Sequence, residues 1–179
     1  MIIMNKKEKI SLKAIDKKYL SIIRDWRNTD LIWKYNTQFT LLNMTNQKNW
    51  FKKIQDKNSD KKMFMIIYEN KPIGVCGLIN FNNDDKQADI AIIIGNTKFH
   101  GMGLGSKVLR KLLEIGFFKF RLHKINAEVF EFNKPSFGLF KKLGFSQDAI
   151  EHQSLWRNKQ WWNVHIFSIL IDDFKINSN

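Results

Sequence analysis

Hydrophobic and polar positions change period several times along this chain, and each change marks an element. Residues 8–14 alternate weakly and predict a first strand. Over residues 17–27 the positions Leu20, Ile23, Trp26 and Arg27 recur at helical spacing. Thr45 is placed to cap a helix whose apolar face carries Trp50, Phe51 and Ile54. The run Met63–Tyr68 reads as a strand, Glu69-Asn70-Lys71-Pro72 as a turn, Ile73–Ile79 as a strand, and Asn82-Asn83-Asp84-Asp85 as a second turn, which together predict an antiparallel hairpin opening into a meander. Ala88–Ile94 is apolar on both faces after Asp89, the pattern of a strand at the centre of a sheet.

Beyond Gly101-Met102-Gly103-Leu104-Gly105 the period shifts from two to 3.6. Leu104, Val108, Leu112 and Ile115 line one face with Leu109 and Leu113 beside them, an amphipathic helix of about four turns. Ile125, Ala127 and Val129 then alternate with Asn126, Glu128 and Phe130 as a strand. Asn133 and Pro135 start a second helix and Gly144 stops it. Val164–Leu170 reads as a final strand. This order predicts an α+β fold.

The chain has 179 residues, 44% of them apolar, which suffices for one domain with a sizeable core; residues 1–179 are read as a single unit without a linker or repeat. The opening Met1-Ile2-Ile3-Met4 turns polar too soon for a secretory leader, and no stretch approaches the roughly 20 apolar residues of a spanning helix. Cys76, the one cysteine, sits in an apolar run and reads as a buried thiol, in keeping with a cytoplasmic protein. Thirty Lys and Arg against 17 Asp and Glu give a formal charge of +13, spread along the chain rather than clustered. Such a surface is compatible with an anionic ligand without identifying one.

The strongest chemical signal is His100-Gly101-Met102-Gly103-Leu104-Gly105-Ser106, lying between a central strand and a long helix. Glycines let successive N–H groups approach one point, and the first helical turn adds unpaired donors and the positive end of its dipole. The result suits a pyrophosphate. A Walker A loop would need Gly-x-x-x-x-Gly-Lys-Ser/Thr, which is absent here. A dinucleotide fingerprint would need Gly-x-Gly-x-x-Gly after a parallel strand, whereas the spacing is Gly-x-Gly-x-Gly after antiparallel strands. His123, His152 and His165 have no mutual spacing suited to zinc, and no metal is expected.

In this loop, in the strand before it, and in the run Asn133-Lys134-Pro135-Ser136-Phe137-Gly138-Leu139-Phe140-Lys141-Lys142-Leu143-Gly144-Phe145, the sequence resembles the GNAT superfamily of N-acetyltransferases. Trp26-Arg27-Asn28 and the Trp50-Phe51 helix resemble a subgroup that includes ribosomal-protein N-terminal acetyltransferases and acetyltransferases of nucleotide-linked amino sugars. The resemblance implies one mixed, mostly antiparallel sheet of about six or seven strands flanked by helices, with acetyl-CoA as donor. It implies that backbone groups of His100, Gly101, Met102, Gly103, Leu104, Gly105 and Ser106 hold the pyrophosphate. Ile92, Ile93 and Ile94 would pair with the pantetheine and polarise the thioester carbonyl. Asn133 would touch the cofactor arm, with Ser136 and Phe140 beside it. The acceptor amine attacks the thioester directly. The family's usual tyrosine, which can protonate the leaving thiolate, is replaced by Phe140.

An alkylammonium acceptor must lose a proton first, and Asp89 and Glu128 are the candidate bases. Trp26, Arg27, Tyr35 and Trp50 belong to the segment that walls the acceptor site in this superfamily, with core packing the alternative for both tryptophans. Trp156, Trp161 and Trp162 could close that pocket or form a homodimer patch. The expected acceptor is a small amine, a nucleotide-linked amino sugar first, with a protein amino terminus as the alternative. A basic module that binds CoA or RNA without chemistry is the competing class. No membrane partner and no specific nucleic acid is expected.

Overall fold

The computed structural model describes residues 9–37 and 39–176. The opening residues read for a leader, and Glu8 of the first predicted strand, lie outside them. Among the described residues the strands are β1 (Ile10–Ala14), β2 (Lys62–Tyr68), β3 (Lys71–Asn82), β4 (Gln87–Ile94), β5 (Lys124–Phe130), β6 (Ser146–Arg157) and β7 (Gln160–Leu170). They form a single sheet in the order β1-β2-β3-β4-β5-β7-β6. Every pairing is antiparallel except β4 with β5. The α+β class and the strand number expected from the resemblance therefore hold.

Local sequence explains most turns. Glu69 and Asn70 both have positive φ, 47° and 65°, the backbone of a primed hairpin turn whose twist suits the flanking strands. Pro72 consequently lies inside β3 rather than in the turn. It is accommodated at a register shift opposite Ile66 and Ile67. Asn158 and Lys159 repeat the device at φ 53° and 61° between β6 and β7.

Helices cover both faces. On one lie α4 (Leu104–Glu114), α5 (Lys134–Lys142) and α6 (Ile171–Ile176). Val108, Leu109, Leu112 and Leu113 of α4 are fully buried in a cluster with Ile66, Leu78, Ile125 and Phe167 of the sheet. At about 1.5–3 kcal/mol per fully buried aliphatic side chain, this stripe fixes the helix under β4 and β5. On the other face lie α1 (Leu20–Arg27), α2 (Asp30–Trp33) and α3 (Met44–Gln55). Their Ile23, Trp26 and Ile32 form a second core with Met65, Ile67 and Val75. The cap of α3 is Asn43, not Thr45: the Asn43 side chain accepts from the Asn46 N–H at 2.8 Å, and the Asn46 side chain accepts from the Asn43 N–H at 3.0 Å. This reciprocal box satisfies two donors at once.

β6 has no counterpart in the hydrophobic pattern. Nearly its whole length is exposed, so no burial imposes an apolar period, and only β7 pairs with it.

Candidate active site

The chain leaves β4 at Ile94 and enters α4 through the glycine loop. Gly101 has φ 75° and Gly103, the cap of α4, has φ 69°. Both lie in the left-handed region that side chains disfavour. A Cβ at either position would meet nothing within 4 Å, so no neighbouring protein atom fills the space in front of them. The glycines thus bare the main chain toward an open cleft, at the positive end of an 11-residue helix. His100 ties this loop back to the strand: its Nε2 lies 2.7 Å from the Ile94 carbonyl oxygen, which can only accept, so the ring donates.

β4 and β5 pair only at Gln87 with Lys124, Ala88 with Ile125 and Asp89 with Asn126. Both strands run on, to Ile94 and Phe130, without further pairing to each other. The parallel pair therefore opens toward its carboxyl end, beside the glycine loop. A cleft of about 630 Å³ occupies this region. Ile92, Ile93 and Ile94 line it from β4, His100, Gly101, Gly103, Leu104, Gly105 and Ser106 from the loop and α4, and Asn133 and Ser136 from the start of α5. Ile32 and Tyr35, from α2 and the segment after it, add to the lining. Open-edged backbone, a bare helix mouth and a cleft between them fit a diphosphate-bearing thioester.

Of the residues singled out in the sequence for cofactor contact, Met102 and Phe140 do not line the cleft. Met102 is exposed beside it. Phe140 is 6% exposed and packs on Phe145 and Phe167 in the core under the sheet. The acceptor-side residues also divide. Tyr35 lines the cleft. Trp26 lies flat on Gly95, where any Cβ would fall 2.2 Å from its ring. Trp50 packs against the second core. The Arg27 guanidinium is held below its ordinary pKa by burial.

The two candidate bases are not among the residues lining the cleft; their strand neighbours Ala88, Ile90, Ala127 and Val129 pack in the core with α4, so Asp89 and Glu128 sit on the opposite face of the sheet. Asp89 is held by amides: Asn80 Nδ2 donates at 2.6 Å and Asn126 Nδ2 at 3.4 Å. Glu128 lies two residues beyond the last β4–β5 pair, on the limb of β5 that has parted from β4. Partial burial, then repulsion from Asp89 and Glu151, pushes the Glu128 carboxyl above its usual range. Asp89, Glu128 and Glu151 thus form a patch of negative charge on a chain of net charge +13. Among the described residues, no group of three His, Cys, Asp or Glu could hold a metal ion.

An aromatic cluster runs back from Tyr35 of the cleft, and the hydrophobic pattern gave no sign of it. Tyr35 stacks on Phe132 at 5.9 Å, and Phe132 meets Trp162 edge-on at 5.0 Å. Trp33 stacks on Phe39 at 3.9 Å. The Arg157 guanidinium covers Phe39 at 4.3 Å and donates to the Thr37 carbonyl at 3.2 Å, latching the β6–β7 hairpin onto the segment after α2. Trp156 and Trp161 pair at the hairpin tip and stay half exposed.

A groove where parallel β4 and β5 part, beside a glycine-capped helix, is the architecture expected of acyl-CoA-dependent acyltransferases. Residues 11–146 match the acetyltransferase (GNAT) domain model, and the chain belongs to that family. It is an acetyl-CoA-dependent N-acetyltransferase. The chain is 22% identical to the uncharacterized N-acetyltransferase p20 of Bacillus licheniformis, over 91% of its own length and 93% of that protein. It is 25% identical to the spermidine N(1)-acetyltransferase of Escherichia coli K12, over 63% of its own length and 59% of that protein. Among solved structures it resembles the spermidine N-acetyltransferase of Vibrio cholerae in complex with CoA and spermine, with a TM-score of 0.87, 21% identity, and coverage of 93% and 98% of the two chains. The named similarities thus lie with spermidine acetyltransferases, not with the ribosomal-protein or amino-sugar subgroup suggested by Trp26-Arg27-Asn28.

No helix among the described residues is long and apolar enough to cross a membrane.

Proposed function

We propose that the acceptor is a small cationic amine of the polyamine class, acetylated in the cytoplasm. The observation that carries this reading is the carboxylate patch of Asp89, Glu128 and Glu151 on an otherwise basic chain, with Glu128 on the limb of β5 that leads to Phe132 and its contacts with Tyr35 and Trp162. Carboxylates and ring faces together recognise alkylammonium groups. The similarity to spermidine acetyltransferases points the same way. A nucleotide-linked sugar would call for free cationic and aromatic groups at the motif that first suggested it. There Trp26 is engaged with Gly95 and Arg27 is desolvated.

The donor brings an acetyl group activated as a thioester. N–H groups at the mouth of α4 hold its diphosphate, and the unpaired edge of Ile92–Ile94 aligns its arm. Glu128, its affinity for protons raised, accepts a proton from the ammonium so that a neutral amine can attack. Asp89, held by Asn80 and Asn126, is one of the neighbours that raise the proton affinity of Glu128.

The test is a panel assay of CoA release from acetyl-CoA with spermidine, spermine, nucleotide-linked amino sugars and peptides. Turnover on the polyamines is expected. Turnover confined to sugars or peptides would refute the assignment.

A further inference from the structure

The departing sulfur needs a proton, and the chain's own geometry narrows its source. Phe140 carries no exchangeable proton and faces the core. Of the other groups in the cleft, His100 already spends its Nε2 proton on the Ile94 carbonyl. Ser106 lies in the first turn of α4, at the end where the anion site is, and Ser136, like Ser106, carries an alkyl hydroxyl, a far weaker acid than a phenol. The amides of Asn36 and Asn133 are not acids. Tyr35 is the phenol of the cleft.

Its position is built rather than incidental. Tyr35 follows the short helix α2, and its ring is stacked 5.9 Å from Phe132 with the planes 25° apart. Phe132 lies two residues past the end of β5, and Trp162 backs it. The ring is thereby held in the lining of the same cleft that Ile92, Ile93 and Ile94 of β4 line.

We infer that Tyr35 is the general acid of the acetyl transfer, supplying from the acceptor-side wall the proton that a residue at position 140 cannot. The inference rests on the acetyltransfer reading above. As the amine nitrogen bonds to the acetyl carbon, the carbon–sulfur bond breaks and the sulfur takes the Tyr35 hydroxyl proton. The phenolate recovers a proton from the nitrogen that has just formed the amide, through water or Glu128. The sum is amine plus acetyl-CoA giving amide plus free CoA thiol, with no other reactant.

Tyr35→Phe preserves the stack on Phe132 and removes only the hydroxyl. Its kcat on the best amine is expected to fall about 10²-fold, with the calorimetric Kd for acetyl-CoA and the thermal midpoint unchanged. In a crystal of the unaltered protein with CoA, the Tyr35 Oη is expected within hydrogen-bond reach of the sulfur, directly or through one water. An undiminished kcat in the variant, or a sulfur far from Oη in that crystal, would overturn the inference. Lack of turnover by the unaltered protein on every amine would instead strike the functional reading, and the CoA crystal would still decide the place of Tyr35.

Discussion

Gly103→Val is the substitution whose effect follows most directly from the backbone. Gly103 caps α4 at φ 69° and ψ 8°, and a Cβ there would touch no protein atom. The cost in the free protein is therefore conformational rather than a clash. Holding a β-branched residue in this region costs about 1–3 kcal/mol. At about 2 kcal/mol the thermal midpoint of a chain this size falls by about 4–8 °C. If the loop relaxes instead, the peptide planes after residue 103 rotate and the N–H groups of α4 turn from the cleft. Losing one charge-assisted hydrogen bond to a phosphate costs about 1.5–3 kcal/mol, so acetyl-CoA binding should weaken at least tenfold. Differential scanning calorimetry and calorimetric titration with acetyl-CoA measure the two effects. Gly103→Asn is the control, because Asn tolerates the left-handed region, and its thermal midpoint should lie between those of the wild type and the valine variant. A valine variant with unchanged midpoint and unchanged acetyl-CoA affinity would refute both the backbone argument and the placing of the anion at this helix.

Glu128→Gln should lower kcat about 10²-fold or more near neutral pH and abolish the loss of activity that the wild type shows as pH falls through the raised Glu128 value; a retained acid limb would point to another base. The same shift has a stability consequence. A carboxyl whose folded pKa is raised favours its neutral form, so its stabilising contribution is present at low pH and is lost as pH rises through the folded value. The glutamine variant should therefore melt above the wild type at pH 8 and with it below about pH 4, and equal midpoints at pH 8 would contradict the direction of the shift. Phe140→Tyr should leave turnover no higher and cost about 1–3 kcal/mol in urea unfolding, because the added hydroxyl enters the contact with Phe145 and Phe167; a faster, equally stable variant would contradict that placement. Arg157→Ala should remove the latch on Phe39 and Thr37, raising the acceptor KM several-fold while the Kd for acetyl-CoA stays fixed, and the reverse split would move Arg157 to the donor side.

Periodicity revealed the strand–loop–helix side of the cleft because burial imposes periodicity. Leu104, Val108 and Leu112 must face the sheet, Ala88 and Ile90 must face α4, and Gly101 and Gly103 between are demanded by positive φ. The acceptor side carries no such imprint. α2 is only four residues long, β6 is exposed almost throughout, and the Tyr35–Phe132–Trp162 contact joins three separate segments. Aromatic residues there read equally well as core or surface until the hairpin and the segment after α2 are brought together. Phe140 shows a second limit: the motif fixes its position in α5, while the helix's rotation, which turns it toward Phe167, is a property of packing alone.

The imidazole of His100, fastened to the last carbonyl of β4, closes a small ring of chain between residues 94 and 100. While that bond holds, the tip of the strand and the mouth of the helix move in step, and a tilt of one is inherited by the other. The distance between the two stations becomes a gauge built into a few residues, separate from the aromatic cluster around Tyr35.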